Sequence, residues 1–172
     1  GLTEYIPTQG AGSIISFGQY APNATSTRRL LFQVGTTIRD WDGATATSVR
    51  TLTSSNKARF CQFSNLTYMV NGTGATGDPV QSYNGSTFSA TNVGALPKGD
   101  YIETFENRLV VADVAGDDIY FTDVVQPNGT ITGGGTNPLH KLSPGNGQKI
   151  RALKTVPRAL LVFKDNSIYR IY

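Results

Sequence analysis

The chemistry-bearing side chains are scarce: one cysteine (Cys61), one histidine (His140), one tryptophan (Trp41) and one methionine in 172 residues. A lone cysteine excludes an intrachain disulfide. With His140 as the sole histidine, zinc lacks the nitrogen and sulfur ligands it usually takes. Neither Cys61 nor His140 has a neighbouring motif that would orient it as a nucleophile or a base. Cys61, flanked by Phe60 and Phe63, is expected to be a small buried hydrophobe on a strand. Charged residues make up 16% of the chain, against the ~25% usual for globular domains. No apolar run approaches the ~20 residues that span a bilayer, so no membrane span is expected, and no segment keeps a helical period. The chain opens on Gly1-Leu2-Thr3-Glu4, without an initiator Met or the charged-then-apolar start of a signal peptide. It is therefore expected to be processed or to belong to a longer chain.

What the sequence has in quantity is punctuation, with nineteen glycines and eight prolines, and between the punctuation a phrase that recurs. Glu103 to Asp123 (ETFENRLVVADVAGDDIYFTD) is answered by Ala152 to Tyr172 (ALKTVPRALLVFKDNSIYRIY). In each, a short hydrophobic strand turns through Glu106-Asn107-Arg108 or Pro157-Arg158 into a strongly apolar strand, and a second turn leads to Ile-Tyr. Fainter copies lie upstream. With the leucine of the second strand as anchor, the series Leu30, Leu66, Leu109 and Leu160 has spacings of 36, 43 and 51 residues. These bracket the ~40 to 50 residues of a four-stranded propeller blade. Third strands are predicted at Thr36 to Trp41, Val80 to Tyr83, Ile119 to Thr122 and Ile168 to Tyr172. The first two end alike, in Asp40-Trp41-Asp42-Gly43 and Ser82-Tyr83-Asn84-Gly85, and Thr/Ser-rich outer strands are expected after them at Thr45 to Leu52 and Ser86 to Val93. Alternating patterns, β-branched enrichment and Asn-Gly turns at Asn71, Asn84, Asn128 and Asn146 agree.

The sequence therefore predicts an all-β chain of repeated antiparallel four-stranded units, a β-propeller or part of one. An N-terminal arm or closing strand (1–12) precedes a repeat domain (13–172) with approximate units 13–56, 57–96, 97–140 and 141–172. The last unit stops at its third strand. Either Leu2 to Ile6 or Ser13 to Phe17 is expected to close that sheet, or the blades continue in further chain.

Candidate chemistry reduces to turns. Gly72-Thr73-Gly74-Ala75-Thr76-Gly77 matches G-x-G-x-x-G after a strand, but Asp78-Pro79-Val80 leads into another strand and leaves no helix N-terminus for a pyrophosphate. Asp40 with Asp42, and Asp113, Asp117, Asp118 and Asp123, could offer oxygens to calcium. They lack the full EF-hand alternation and suit turns, where Asp and Asn bond nearby amides. No catalytic, cofactor or metal residues are assigned. Charge is unevenly spread. Between Pro97 and Val125 seven acids stand against Lys98 and Arg108, and from Lys141 to Tyr172 seven bases stand against Asp165. The candidate interaction surfaces are thus acidic (Asp113, Asp117, Asp118, Asp123) and basic (Lys149, Arg151, Lys154, Arg158). They are read as solvated faces, as head-to-tail contacts between copies in a ring, or as a basic lining near nucleic acid.

The phrases Thr27-Arg28-Arg29-Leu30-Leu31-Phe32, Asp40-Trp41-Asp42-Gly43 and Glu106-Asn107-Arg108-Leu109-Val110-Val111, with Leu142 to Leu153 followed by Leu160 to Tyr169, resemble virion structural proteins of tailed bacteriophages. The likeness is to their β-propeller-bearing tail components, of the nozzle or hub kind. That resemblance implies a non-enzymatic assembly role in the virion: a homo-oligomeric ring, other tail proteins as partners, the genomic DNA passing nearby, no cofactor and no catalytic residues. Two other classes fit a propeller. A carbohydrate-binding module would stack sugars on Trp41, Tyr83 and Tyr120. A propeller hydrolase would cluster acids at the starts of inner strands, and no such cluster recurs.

Overall fold

The computed structural model describes residues 12–22, 28–89, 96–112, 116–123, 140–143 and 145–172. Within them fourteen strands form four antiparallel sheets, with no α-helix. The first sheet holds β1 (Ile14–Tyr20), β2 (Arg29–Val34), β3 (Thr37–Trp41) and β4 (Ala46–Thr51) in sequence order. The second holds β5 (Arg59–Phe63), β6 (Leu66–Val70) and β7 (Gln81–Tyr83). β8 (Tyr101–Phe105), β9 (Arg108–Ala112), β10 (Ile119–Phe121) and β11 (His140–Leu142) make the third, and β12 (Ile150–Val156), β13 (Ala159–Lys164) and β14 (Ile168–Ile171) the fourth. Every sheet is a meander, so each strand pairs with its neighbours in the chain.

Turn chemistry sets the registers. β8 and β9 are joined by a two-residue loop, Glu106-Asn107, both with positive φ (47° and 57°). This is the primed turn whose twist matches the flanking strands. The two phrases that end alike in sequence bend alike in space. Asp42 Oδ1 accepts from the amides of Ala44 (2.9 Å) and Thr45 (2.8 Å), and its own amide donates to Thr45 O (3.3 Å). Asn84 Oδ1 accepts from Ser86 (3.0 Å) and Thr87 (2.9 Å), and its amide donates to Thr87 O (3.3 Å). The following glycines, Gly43 and Gly85, have φ of +106° and +95°. The two amides held by Asp42 also keep its carboxyl below the usual range.

The sheets stack face to face through three apolar seams. Leu31 and Ile38 meet Met69 and Tyr83 between the first and second sheets. Tyr68 and Val70 meet Leu109 and Val111 between the second and third, and Val110 and Ile119 meet Leu160 and Val162 between the third and fourth. The second strand of a sheet covered on both sides must be apolar on both faces, which is why β6 and β9 read as nearly unbroken hydrophobic runs. Close approach at the first seam requires Gly18, where a Cβ would lie 2.4 Å from Phe60 Cβ.

Buried polar ties fasten the seams. Gln33 is fully buried and satisfied: its Nε2 donates to Gly35 O and Asn56 O (both 2.9 Å), and its Oε1 accepts from Ala58 N (2.8 Å) and Ser16 Oγ (3.2 Å). Asp78 accepts from Thr53 N (3.0 Å), Thr53 Oγ1 (2.9 Å) and Asn71 Nδ2 (2.7 Å), with Arg50 at 3.6 Å. Burial opposes its ionisation, yet these donors and the Arg50 charge hold its carboxyl below the usual range. The tie is therefore present at neutral pH and weakens as pH falls through that depressed value.

Three expectations are adjusted. Ser13 to Phe17 does not close the fourth sheet, because β1 pairs with β2 from Ile14↔Val34 to Tyr20↔Arg29. Leu2 to Ile6 lies outside the described residues. The outer strand expected over Ser86 to Val93 is, in its described part, one bridge between Phe88 and Tyr83, with the Ser89 amide on Ser82 O (2.8 Å). β11 spans the position where the sequence places a unit boundary, 140/141, because it pairs with β10 as the outer strand of the third sheet. The fourth sheet has three strands, with β14 at its edge.

Gly18→Ala is expected to cost about 1–3 kcal/mol by overpacking against Phe60. Gly35→Ala, with φ +57° but open space around it, should cost about 1–2 kcal/mol from backbone strain alone. Denaturant midpoints at unchanged m-value test both.

Candidate functional site

The first strands of the four sheets, β1, β5, β8 and β12, lie in series, each packed on the next. They share a cavity of about 400 Å³ lined by Ser16, Phe17, Lys57, Arg59, Tyr101 and Leu153 among others. The Arg59 guanidinium sits 4.2 Å above the Tyr101 ring and donates to Asp100 O (2.7 Å). Deeper along these strands the Cys61 thiol is buried 4.0 Å from Glu103, and burial, reinforced by that carboxylate, pushes its pKa up to about 12. A thiol so protonated is no nucleophile at neutral pH. The side chain of His140 lies outside the described residues. Among the described residues no group of three or more His, Cys, Asp or Glu is placed to hold a metal, and no helix is long and apolar enough to cross a membrane. The Gly72 to Gly77 segment makes one 3-10 turn, Gly74–Thr76, before running on to β7.

The acidic and basic stretches meet inside the chain. Lys164, with no exposed side-chain surface, forms an ion pair with Asp117 and donates to Asn146 Oδ1. Asp117 also accepts from the Asn146 amide (3.1 Å), and Asp118 accepts from Ser143 Oγ and from the Tyr120 hydroxyl (3.2 Å). Lys154 pairs with Glu103 at 3.5 Å across the third seam, and Arg151 with Asp165 at 2.6 Å within the fourth sheet. The Lys149 amide donates to the same Asp165 (3.1 Å), and Arg158 occupies a turn with φ +66°. Asp123 is half-buried beyond β10, and Asp113 lies outside the described residues. Acids of the third sheet and bases of the fourth are thus neighbours that neutralise one another, a pairing that sequence spacing alone could not reveal.

The aromatic set does not form one surface. Tyr83 has no exposed area; it packs edge-on to Tyr20 (centroids 5.5 Å apart) and its hydroxyl donates to buried Asp40 (2.9 Å), which also holds Arg29. A ring so enclosed offers no face to a sugar, which corrects its assignment as a stacking residue. Tyr120 is half-buried against the second sheet. Trp41 is half-buried in an open cavity of about 470 Å³ on the outer side of the first sheet, with Phe17, Arg28, Arg29 and Leu30. This side carries the exposed apolar groups of the chain's beginning: Phe17 is 76% exposed. At the other end of the stack Ile168 and Tyr172 are 63% and 75% exposed. Sequence reading singled out none of these three; strand register places Phe17 beside Phe32 on the first sheet and Ile168 beside Phe163 on the fourth.

No protein-family model matches the chain, and no curated protein sequence is similar to it. Among solved structures it is similar to the computationally designed Ika4 protein (TM-score 0.61, 14% identity, covering 100% of this chain and 99% of that one). It is also similar to the computationally designed Ika8 protein (TM-score 0.58, 15% identity, 93% of this chain and 46% of that one). At such identities the likeness is one of fold alone: repeated antiparallel sheets.

Two outcomes are expected. Asp117→Ala leaves the Lys164 ammonium buried without its counter-charge and should destabilise by about 3–5 kcal/mol, read from denaturant unfolding. Cys61 should resist thiol reagents at mildly alkaline pH in the native protein and react fully after unfolding, measured by mass spectrometry.

Proposed function

We propose that the four sheets are blades of a β-propeller, or of part of one, set about the cavity their first strands share, and that the chain is a non-enzymatic structural component of a tailed-phage virion. Its place in that reading is the tail, in the nozzle, hub or head-to-tail region, as one subunit of a homo-oligomeric ring. Other tail proteins adjoin it and the genomic DNA passes nearby. The supporting observation is the combination of a stack of sheets tied by ion pairs across its seams with apolar side chains left exposed at both of its ends. Such a body invests its polar groups in holding its own seams, and large exposed apolar patches mark association surfaces. The resemblance of the Leu142 to Tyr169 phrases to tail propellers supplies the virion setting.

A second reading rests on the cavity beside Trp41. An indole and a phenyl ring next to two arginines can stack on a sugar and donate to its hydroxyls, as in a carbohydrate-binding or host-receptor-binding propeller.

Electron microscopy of the purified chain is expected to show multimers of radially arranged sheets, and antibodies against it should label the tails of intact particles that carry it. A monomer with sugar-specific binding abolished by Trp41→Ala would overturn the structural reading in favour of the second.

A further inference from the structure

The three seams inside the chain obey one rule. In each sheet the aromatic residue of the third strand turns toward the preceding sheet. Tyr83 packs on Leu31 and Ile38 of the first sheet, Tyr120 on the cluster of Tyr68 and Val70 of the second, and Tyr169 on that of Val110 and Phe121 of the third. Trp41 holds the same position in the first sheet. It pairs with Leu30, on the face opposite Leu31, and so looks to the side where, among the described residues, no sheet packs. Phe17 and Phe32 are a register pair on that same face, Phe17 76% exposed and Phe32 buried.

The second strands tell the same story from the other end. In β13, Leu160 and Val162 enter the third seam, while Leu161 and Phe163 alternate to the opposite face. They pair there with Arg170 and Ile168. Arg170 lies over the Tyr172 ring at 4.5 Å. β2 and β13 are therefore as apolar on their outer faces as β6 and β9, whose two faces are both covered.

Among the described residues the two end faces are the unmatched halves of the seam repeated three times: the first sheet presents the side that receives a preceding sheet, the fourth the side that receives a following one. We infer that they join head to tail, the fourth sheet of one copy packing on the first sheet of a second copy as the next seam in the series. Because the two halves differ, the contact is heterologous and generates a closed ring of two or more copies, or an open array where the rotation does not close. The charged stretches read from sequence as ring contacts are not its basis, since Asp117, Glu103, Lys154 and Lys164 are engaged within one chain. This deepens the ring reading above and rests on it for self-association, not for the virion role.

The test is complementation between blocked copies, read by sedimentation or light scattering as molar mass. Phe17→Asp blocks the head, Ile168→Asp the tail, and both positions are exposed enough for the fold to persist, which circular dichroism and thermal unfolding verify. Ile14→Glu and Tyr172→Glu, on the same two faces, form a second pair should either variant fail to fold. The wild type is expected to multimerise. Each variant should weaken self-association roughly tenfold or more, moving it toward the 18.4 kDa monomer, and an equimolar mixture should recover a dimer, because one sound head then meets one sound tail. Multimers unmoved by any variant would overturn this assignment and leave the ring reading standing. Variants that stay monomeric when mixed would overturn the head-to-tail geometry. A wild type that is monomeric at every concentration, with Phe17 protected by its own fourth sheet, would overturn both.

Discussion

A strand that must be apolar on both faces is the constraint on which the rest of this structure depends. In β6 and β9 each face is covered by a different neighbouring sheet, so burial of apolar area is doubled along a segment of only five residues. The consequences spread outward from there. Sheets must approach closely, which requires glycine at position 18 opposite Phe60. First strands must crowd together, which encloses a small cavity between them. Polar groups that cannot avoid the seams must be satisfied there, which accounts for the complete hydrogen bonding of Gln33.

The electrostatics follow the same geometry. Asp40 receives the hydroxyl of Tyr83 across the first seam, and Asp78 binds the connection before β5 to the loop after β6. Asp117 reaches Lys164 across the third seam. In each case a carboxylate of one segment accepts a hydrogen bond from a donor of another, and this directional contact fixes an alignment that hydrophobic packing alone would leave free to slide. A buried ion pair adds little net stability compared with apolar packing, but its geometry is demanding. Here that demand serves register between sheets.

Much of the architecture was legible in the residues because it is local. Apolar runs at 30, 66, 109 and 160 marked the second strands, and Asp-Gly and Asn-Gly marked the bends, since turn type and strand alternation are decided within a few residues. What was not legible is relational. Nothing in the spacing of Tyr83 distinguishes a surface aromatic from one sealed between sheets; its burial depends on Tyr20 and Asp40, some sixty and forty residues away. The pairing of the charge runs is hidden for the same reason. Counted along the chain they are two opposed patches, whereas folding brings them side by side. The exposed Phe17 and Ile168 carry ordinary strand patterning, and their significance comes from the absence of a covering sheet among the described residues.

The matched bends at Asp42 and Asn84 carry a consequence of another kind. In each, one side-chain oxygen and one backbone carbonyl close the corner within four residues. Contacts that span two or three residues carry almost no loop-closure cost. Such corners can close before distant layers meet, and the later docking of sheet on sheet has then only to match apolar faces.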